Sequence, residues 1–170
     1  MASYISPKVE NRFSEISERG LFVVEDVKKG EIVADYTNGL GEYVNSKKAD
    51  ELFKQGRDHM IQVDDDLFFA AVKNNDFEDA DYTNHSCSPN CGIKDKLKIV
   101  AMRDIRIGEE VTIDYAMMES SDYNFQCNCK NSNCRKLVTG DDWKIPELQE
   151  RYKGYFSDYL QKRMLSKAKI

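Results

Sequence analysis

Three cysteines near residue 130 have the spacing of a metal-binding loop. Cys127, Cys129 and Cys134 form a CxCx4C pattern in a stretch otherwise rich in Asn, Lys and Ser. Because few apolar residues are available to fold this stretch, it needs another source of order. Zinc held by thiolates supplies on the order of 10 kcal/mol at structural sites. The pattern predicts a closed structural zinc site, with free thiols as the alternative and either Cys87 or Cys91 as the fourth ligand.

Two further segments carry polar side chains that could do chemistry. Residues 84–90 read NHSCSPN, and residues 108–115 read GEEVTIDY and close on Tyr115. The first offers an amide, an imidazole and a turn stiffened by proline, and the second ends a strand-like run on a phenol. Taken singly, each of these residues is more common in a turn or a core than in a site.

Length, composition and cysteine number limit the class of protein. The chain has 170 residues, 41% of them apolar, which suits one domain with a real core. A net charge of -5 argues against nucleic-acid binding and is compatible with a basic peptide partner, although a merely solvated surface explains it as well. Five cysteines, an odd number, argue against a disulfide scaffold. No signal-peptide pattern or membrane-spanning run is visible, so we expect an intracellular protein, cytoplasmic or nuclear, without membrane contact.

Two segments with similar sequences, here called the echo segments, organise the elements around these motifs. Residues 26–36 (DVKKGEIVADY) and 104–115 (DIRIGEEVTIDY) each follow a β-branched run, which predicts strand, glycine-containing polar turn and strand. Gly30 and Gly108 are expected to adopt positive φ. Between the echoes, Ser46 is predicted to cap a helix that ends at Gly56.

The rest of the chain predicts one more hairpin and a helical tail. The hairpin runs from residue 59 to residue 72 around an Asp64–Asp66 turn, and residues 73–90 form a long polar connection. After Tyr115 the strand signals fade into the cysteine-rich loop, and Pro146 opens one or two helices. Their apolar stripe is more typical of a core than of a cofactor site and comprises Leu148, Tyr152, Tyr155, Phe156, Tyr159, Leu160 and Met164.

Taken together and in order, four segments resemble the SET-domain protein-lysine methyltransferases. They are residues 19–36, 84–91 and 108–116, and the CxCx4C loop with Arg135, which resembles a post-SET segment. The resemblance implies a mainly β fold with short helices, several small sheets and a knot-like C-terminal crossing. It implies a SET domain over 1–116, a zinc-bound post-SET segment over 117–140 and a C-terminal helical extension over 141–170.

The resemblance also implies a site for S-adenosylmethionine and one for structural zinc. Gly20 would let the main chain approach the cofactor, and Asn84 and His85 would hydrogen-bond to it. The full set of expected cofactor-binding residues is Arg19, Gly20, Leu21, His59, Asn84, His85, Arg135 and Leu137. The expected zinc ligands are Cys87, Cys127, Cys129 and Cys134, which leaves Cys91 spare.

By the same resemblance, Tyr115 is the catalytic residue of methyl transfer to a protein lysine. The amine must be neutral to react, and an apolar channel beside a positive sulfur disfavours its charged form. The expected channel residues are Ile113, Tyr152, Tyr155 and Phe156. The alternative is an inactive, zinc-stabilised module that only binds a peptide.

Two departures from the family pattern affect details. Ile113 stands where many members have Tyr or Phe, so we expect more than one methyl group to be added. Asp81-Tyr82 stands where Arg-Phe is frequent, and His59 stands where an aromatic residue often meets the cofactor.

The acidic residues Asp76, Glu78, Asp79 and Asp81, with the Asp64–Asp66 turn, could attract a basic histone-like substrate or could form a solvated loop.

Overall fold

A computed structural model describes residues 2–73 and 77–167. This part of the chain is mainly β, as the sequence predicts, and its strands form three sheets. The strands are β1 (Tyr4–Ile5), β2 (Val9–Ser14), β3 (Glu18–Val23), β4 (Ile32–Asp35), β5 (Glu42–Val44), β6 (Met60–Asp64), β7 (Leu67–Ala70), β8 (Asn84–His85), β9 (Cys91–Lys94), β10 (Lys98–Ala101), β11 (Glu110–Ile113), β12 (Asn124–Gln126) and β13 (Leu137–Thr139). The helices are α1 (Ser46–Lys54), α2 (Pro146–Arg151) and α3 (Asp158–Lys167), with 3-10 turns at Asp79–Tyr82, Tyr115–Met117 and Asp142–Lys144.

The two echo segments interlock instead of forming two separate hairpins. The large sheet has the order β1-β4-β10-β9-β11-β3-β2, so β3 pairs with β11 and β4 pairs with β10. Gly30 N donates to Ala101 O at 2.8 Å, and Gly108 N donates to Val23 O at 2.8 Å. Both glycines have positive φ, 88° and 86°, as predicted. The predicted strand, turn and strand over residues 19–36 are present, but β3 and β4 do not pair with each other as a hairpin, because β3 pairs with β2 and β11 and β4 pairs with β1 and β10.

Strand β11 lies at the centre of this sheet and carries the second motif. It pairs with β3 on one side and with β8 and β9 in parallel on the other. Val111, Thr112 and Ile113 are all buried, as expected of a strand covered on both faces. The pairing brings Asn84 beside Thr112 and His85 beside Ile113. The NHSCSPN segment and the start of Tyr115's turn therefore lie side by side.

The two smaller sheets flank the large one. The β5-β7-β6 sheet contains the predicted second hairpin, with α1 against it. The N-cap of α1 is Asn45, whose side chain accepts a hydrogen bond from Lys48 N at 3.0 Å, and not the predicted Ser46. Ser46 instead donates to Asp66, which belongs to the acidic turn. The two-stranded β12-β13 sheet lies in the segment where strand signals fade, so the sequence missed it.

Apolar residues of the C-terminal segment pack into the same core as the large sheet. Leu148, Tyr152, Phe156 and Leu160 are buried in the same cluster as the large sheet, as core packing of the apolar stripe predicts. Gly154, at φ 80°, lies in the break between α2 and α3. In residues 2–73 and 77–167, every helix is too short or too polar to cross a bilayer. The knot-like crossing and the three-part division of the chain stay predictions.

Candidate functional site

A cavity of about 320 Å³ opens beside Tyr115, where β11 ends. Part of its wall is apolar and includes Ile61, Phe69, Ile99, Ile113 and Met118. Another part is acidic and includes Glu18, Asp58, Glu78, Asp81 and Glu119. Of the predicted site residues, those that line the cavity are Arg19, His59, Asn84, Ile113 and Tyr115.

Backbone contacts fix Tyr115 at the edge of the cavity. Its N–H donates to His85 Nδ1 at 3.2 Å, and its hydroxyl donates to Thr83 O at 3.3 Å. The preceding Asp114 accepts from Ala116 N at 3.1 Å and caps the 3-10 turn that carries the tyrosine. Ring contacts with His85 (centroids 5.2 Å apart) and Phe125 (5.9 Å) hold the phenol from the side.

Burial and negative charge keep this phenol protonated. Desolvation raises the pKa of Tyr115 well above its ordinary value, and the carboxylates of Glu119 and Asp58 raise it further. The group is therefore a neutral hydroxyl at any physiological pH and does not act as a phenolate.

The acidic wall of the cavity contains two carboxyl groups with unusual pKa values. Burial raises the pKa of Asp81 to about 6 and that of Glu119 to about 7, and the charge of Asp58 contributes to the second shift. His59 Nδ1 lies 3.3 Å from Asp58 Oδ1, and this carboxylate raises the imidazole pKa. These groups give the cavity a net preference for cationic ligands.

Asn84, which lines the cavity, is hydrogen-bonded to the segment that contains Arg19 and Gly20. Asn84 Nδ2 donates to Arg19 O at 2.7 Å and to Glu110 Oε1 at 2.7 Å. A Cβ on Gly20 would lie 2.3 Å from Glu110 Oε1 and 2.9 Å from Asn84 Nδ2, so a larger residue here would have to displace these two hydrogen-bonded side chains. The Arg19 guanidinium lies 3.8 Å from the Tyr82 ring centroid at the cavity wall.

Some of the acidic residues that could attract a basic substrate already form hydrogen bonds or ion pairs within the protein. Glu78 accepts from Ser3 and from Leu40 N, and Asp81 accepts from Glu78 N at 2.8 Å. Asp79 is exposed and lies 3.4 Å from Arg19 Nη2. Asp76 lies outside the described residues.

The four predicted zinc ligands come together in space. The Sγ atoms of Cys87, Cys127, Cys129 and Cys134 all lie within 4.8 Å of one another. The Cys87 and Cys127 sulfurs are 3.8 Å apart, close to the ~3.8 Å edge of a tetrahedron with zinc–sulfur bonds of about 2.3 Å. Cys91 lies apart from them in β9, in the main core.

Backbone amides complete the surroundings of these thiols. Arg135 N donates to Cys87 Sγ at 3.4 Å, and Lys136 N donates to Cys134 Sγ at 3.4 Å. Amide donors stabilise thiolates, which is the ligand form zinc requires. Four soft sulfur donors at these separations fit a closed zinc site with no coordination place for water.

Arg135 lies in a buried ion-pair network. Its Nη1 and Nη2 donate to Asp114 at 2.6 and 2.8 Å, and its Nε donates to Asp142 at 2.8 Å. Tyr152 OH also donates to Asp114, at 3.1 Å. The network ties the cysteine-rich loop and the C-terminal segment to the residue that precedes Tyr115, and the role of Arg135 in cofactor binding stays a prediction.

The other predicted site residues fall into three groups outside the cavity wall. Leu21 and His85 are buried, and burial lowers the pKa of His85 to about 4. Leu137 is exposed on β13. Tyr152 and Phe156 are buried in the core, and Tyr155 packs against it at a separate surface depression. These three C-terminal aromatics therefore do not line this cavity, and their place in a substrate channel stays a prediction.

The sequence reasoning missed several residues at the site, above all Glu119 and Thr83. Glu119 follows Tyr115 by four residues, one turn along the chain, and this spacing was an available signal. Thr83 contributes its backbone carbonyl oxygen, and a sequence motif, which specifies side chains, cannot predict such a contact.

Comparison of the sequence with known proteins identifies one family. The SET-domain model matches residues 18–116. The set1 histone-lysine N-methyltransferase of Dictyostelium discoideum is 35% identical over 138 residues, which cover 74% of this chain and 9% of that protein. The H3 lysine-4 specific histone-lysine N-methyltransferase of Schizosaccharomyces pombe is 35% identical over 135 residues, or 72% of this chain and 14% of that protein. Human SETD1B, a histone-lysine N-methyltransferase, is 33% identical over 135 residues, which cover 72% of this chain and 7% of that protein. The chain thus spans only a small part of the length of these relatives.

Proposed function

Since the chain belongs to the SET-domain family, we propose that it transfers methyl groups from S-adenosylmethionine to the ε-amine of lysine in a protein. The observation that carries this proposal is the Tyr115 phenol, held neutral at an acidic cavity beside the NHSCSPN segment. Hydrogen bonds hold Tyr115 at its backbone N–H and at its hydroxyl, so the phenol can orient a reacting nitrogen without reorganising.

The cavity has the size and the charge that the cofactor would need. Its volume of about 320 Å³ lies within the range of small-molecule sites, roughly 300–1,000 Å³. Arg19, Asn84 and His59, which line the cavity, would hold the cofactor. When bound, S-adenosylmethionine supplies a methyl group activated by a positively charged sulfur. The acidic wall favours that positive charge.

The remaining task of the protein is to present the lysine nitrogen with a free electron pair. A lysine of pKa about 10.4 held neutral at pH 7 costs roughly 4–5 kcal/mol in water. The apolar side chains of Ile113 and Met118 at the cavity wall disfavour the ammonium form. The oxygen of Tyr115 can accept a hydrogen bond from the neutral amine, because its own proton points to Thr83 O.

Ile113 at the cavity wall supports more than one round of transfer. An aliphatic side chain has no hydroxyl with which to hold water against the amine, so a methylated amine does not need to displace a bound water there. We propose di- or trimethylation as the end state.

The substrate class follows from charge and from the relatives. The acidic wall would attract a lysine within a basic segment, and the relatives are named for histone lysines. We propose a basic, histone-like protein segment as substrate, without direct nucleic-acid or membrane contact. Zinc at the four cysteines would be structural and would hold the loop that carries Arg135 against Asp114.

One experiment tests the function directly. The full chain is incubated with labelled S-adenosylmethionine and either core histones or a whole-cell lysate, and methylated lysines are mapped by mass spectrometry. The Tyr115→Phe variant should lose at least about 10²-fold in rate, since an orienting hydroxyl contributes this much when it acts in the transition state. Tyr4→Phe, on the exposed edge strand β1, is the matched control and should keep its rate.

An inactive peptide-binding module is the competing function. It would transfer no label with any substrate, and its peptide affinity would be independent of the cofactor. Tyr115-dependent label excludes it, and wild-type protein that binds the cofactor in calorimetry without transferring label would favour it.

A further inference from the structure

We propose that Glu119 accepts the proton that a lysine ammonium must lose before its nitrogen can take a methyl group. The inference rests on the proposed function and names a residue for it that the sequence motifs do not contain. Its basis is the placement of this carboxyl group in the same cavity wall as Tyr115.

The backbone fixes Glu119 one turn beyond the tyrosine. Glu119 N donates to Tyr115 O at 3.3 Å, at the end of the 3-10 turn Tyr115–Met117. On the side chain, Ser121 Oγ donates to Glu119 Oε2 at 2.9 Å. The carboxyl group is thus anchored, and it is close enough to Tyr115 for its charge to raise the phenol pKa.

The electrostatic surroundings make Glu119 a reversible proton carrier near neutrality. Among the described residues, the titratable groups that interact with it include Asp58 from the segment before β6, Tyr115 from its own turn, and Tyr123 from the segment before β12. Burial and the Asp58 charge raise the Glu119 pKa to about 7, and the Ser121 hydrogen bond lowers it. A base of this pKa is suited to general-base work at neutral pH.

Other groups in the wall are poorer acceptors. The neutral Tyr115 hydroxyl has its proton committed to Thr83 O and would need to ionise against two carboxylates. Asp58 has a pKa lowered by His59, and His59 has a pKa raised by Asp58. Asp81 is held by Glu78 N, in the 3-10 turn on the Arg19 side of the cavity.

The proton balance is simple. An N–H bond of the ammonium breaks, its electron pair stays on nitrogen, and an O–H bond forms on Glu119. The nitrogen then forms a bond to the methyl carbon as the carbon–sulfur bond breaks, and the product nitrogen carries the positive charge. Glu119 loses its proton to solvent through the cavity mouth before it can deprotonate the methylated ammonium in the next round.

Conversion to the amide gives the sharpest test. Wild type, Glu119→Gln and the charge-matched control Glu150→Gln, exposed on α2, are assayed with core histones and labelled cofactor from pH 6.5 to 9.5. Glu119→Gln should lose about 10²-fold in rate at pH 7. The loss should shrink as pH rises, because more of the lysine is then already neutral, whereas Glu150→Gln should follow wild type throughout.

Ser121→Ala tests the same idea without removing the carboxyl group. Loss of the hydroxyl removes a hydrogen bond that favours the ionised form, so the acid limb of the pH–rate profile should move to higher pH. An unmoved acid limb overturns the proposal. So does a Glu119→Gln rate equal to wild type at pH 7, or a loss that stays constant from pH 6.5 to 9.5.

Two controls distinguish a failed role for Glu119 from misfolding of the variant and from failure of the proposed function. Thermal unfolding at pH 8 should show Glu119→Gln at least as stable as wild type, because the amide has no charge to bury. If wild type itself transfers no methyl group, the proposed function has failed and the role of Glu119 fails with it. If wild type is active and Glu119→Gln matches it, only the role of Glu119 is refuted.

Discussion

Replacing Arg135 by methionine should destabilise this protein much more than removing an exposed ion pair. The guanidinium makes two hydrogen bonds to Asp114, at 2.6 and 2.8 Å, and a third to Asp142 at 2.8 Å. Asp114 is 0% exposed, and the Arg135 side chain is only 16% exposed. Methionine keeps much of the apolar stem and removes only the charge and the donors.

The expected loss in unfolding free energy is about 3 kcal/mol or more. Removing one member of a buried ion pair typically costs about 3–5 kcal/mol, because the remaining charge is left buried. The lower end applies here, since Tyr152 OH and Ala116 N still donate to Asp114. For a chain of this length each kcal/mol lowers the melting temperature by about 2–4 °C, so we expect a fall of about 10 °C.

The measurement is urea and thermal unfolding of zinc-loaded protein at pH 7. Arg106→Met is the matched control: its exposed pair with Asp26, at 2.7 Å, should contribute under about 1 kcal/mol. Adding Asp114→Asn to Arg135→Met should recover part of the loss, because the fully buried Asp114 side chain then carries no unpaired charge, while Asp142 still lacks its partner. A loss for Arg135→Met no larger than that of the control would refute the reasoning.

Three further predictions concern the metal, the product and pH. Removing zinc with a chelator, or Cys87→Ser, should lower the melting temperature and expose the β12-β13 segment to protease, while a fold indifferent to chelation would contradict a structural metal. Exhaustive methylation should give di- or trimethyl-lysine by mass spectrometry, and Ile113→Tyr should shift the product towards monomethyl-lysine; wild type that stops at one methyl would contradict this. The raised pKa values of Asp81 (about 6) and Glu119 (about 7) mean that the native state holds more protons than the unfolded chain between about pH 4 and 7. Their contribution to stability is therefore present at low pH and lost as pH rises through this window, and Asp81→Asn with Glu119→Gln should flatten the decline seen in urea unfolding at successive pH values.

The local signals in the sequence were reliable where one segment sufficed. Gly30 and Gly108 adopt the positive φ that their turns require, and the C-terminal apolar stripe lies in the core. The resemblance to the SET-domain family is confirmed, because four ordered motifs carry more information than any residue alone. The sulfur atoms of the four predicted ligands come together, while the metal itself stays a prediction.

The sequence signals could not identify partners that lie far along the chain. The ion pair of the Arg135 guanidinium with the buried Asp114 carboxylate, 21 residues away, is one example. The packing of Tyr152 and Phe156 into the core is another.

The amino-acid sequence by itself determined the family, the turn glycines, the CxCx4C loop and the motif that ends on Tyr115. These depend on residue type and short spacing, which a linear chain displays directly. Only the tertiary structure decided that β3 pairs with β11 and that Glu119 and Asp58 share a cavity wall with the tyrosine. Strand pairing and burial depend on contacts between residues distant in the chain, and these contacts set the local dielectric and charge that give each side chain its chemistry.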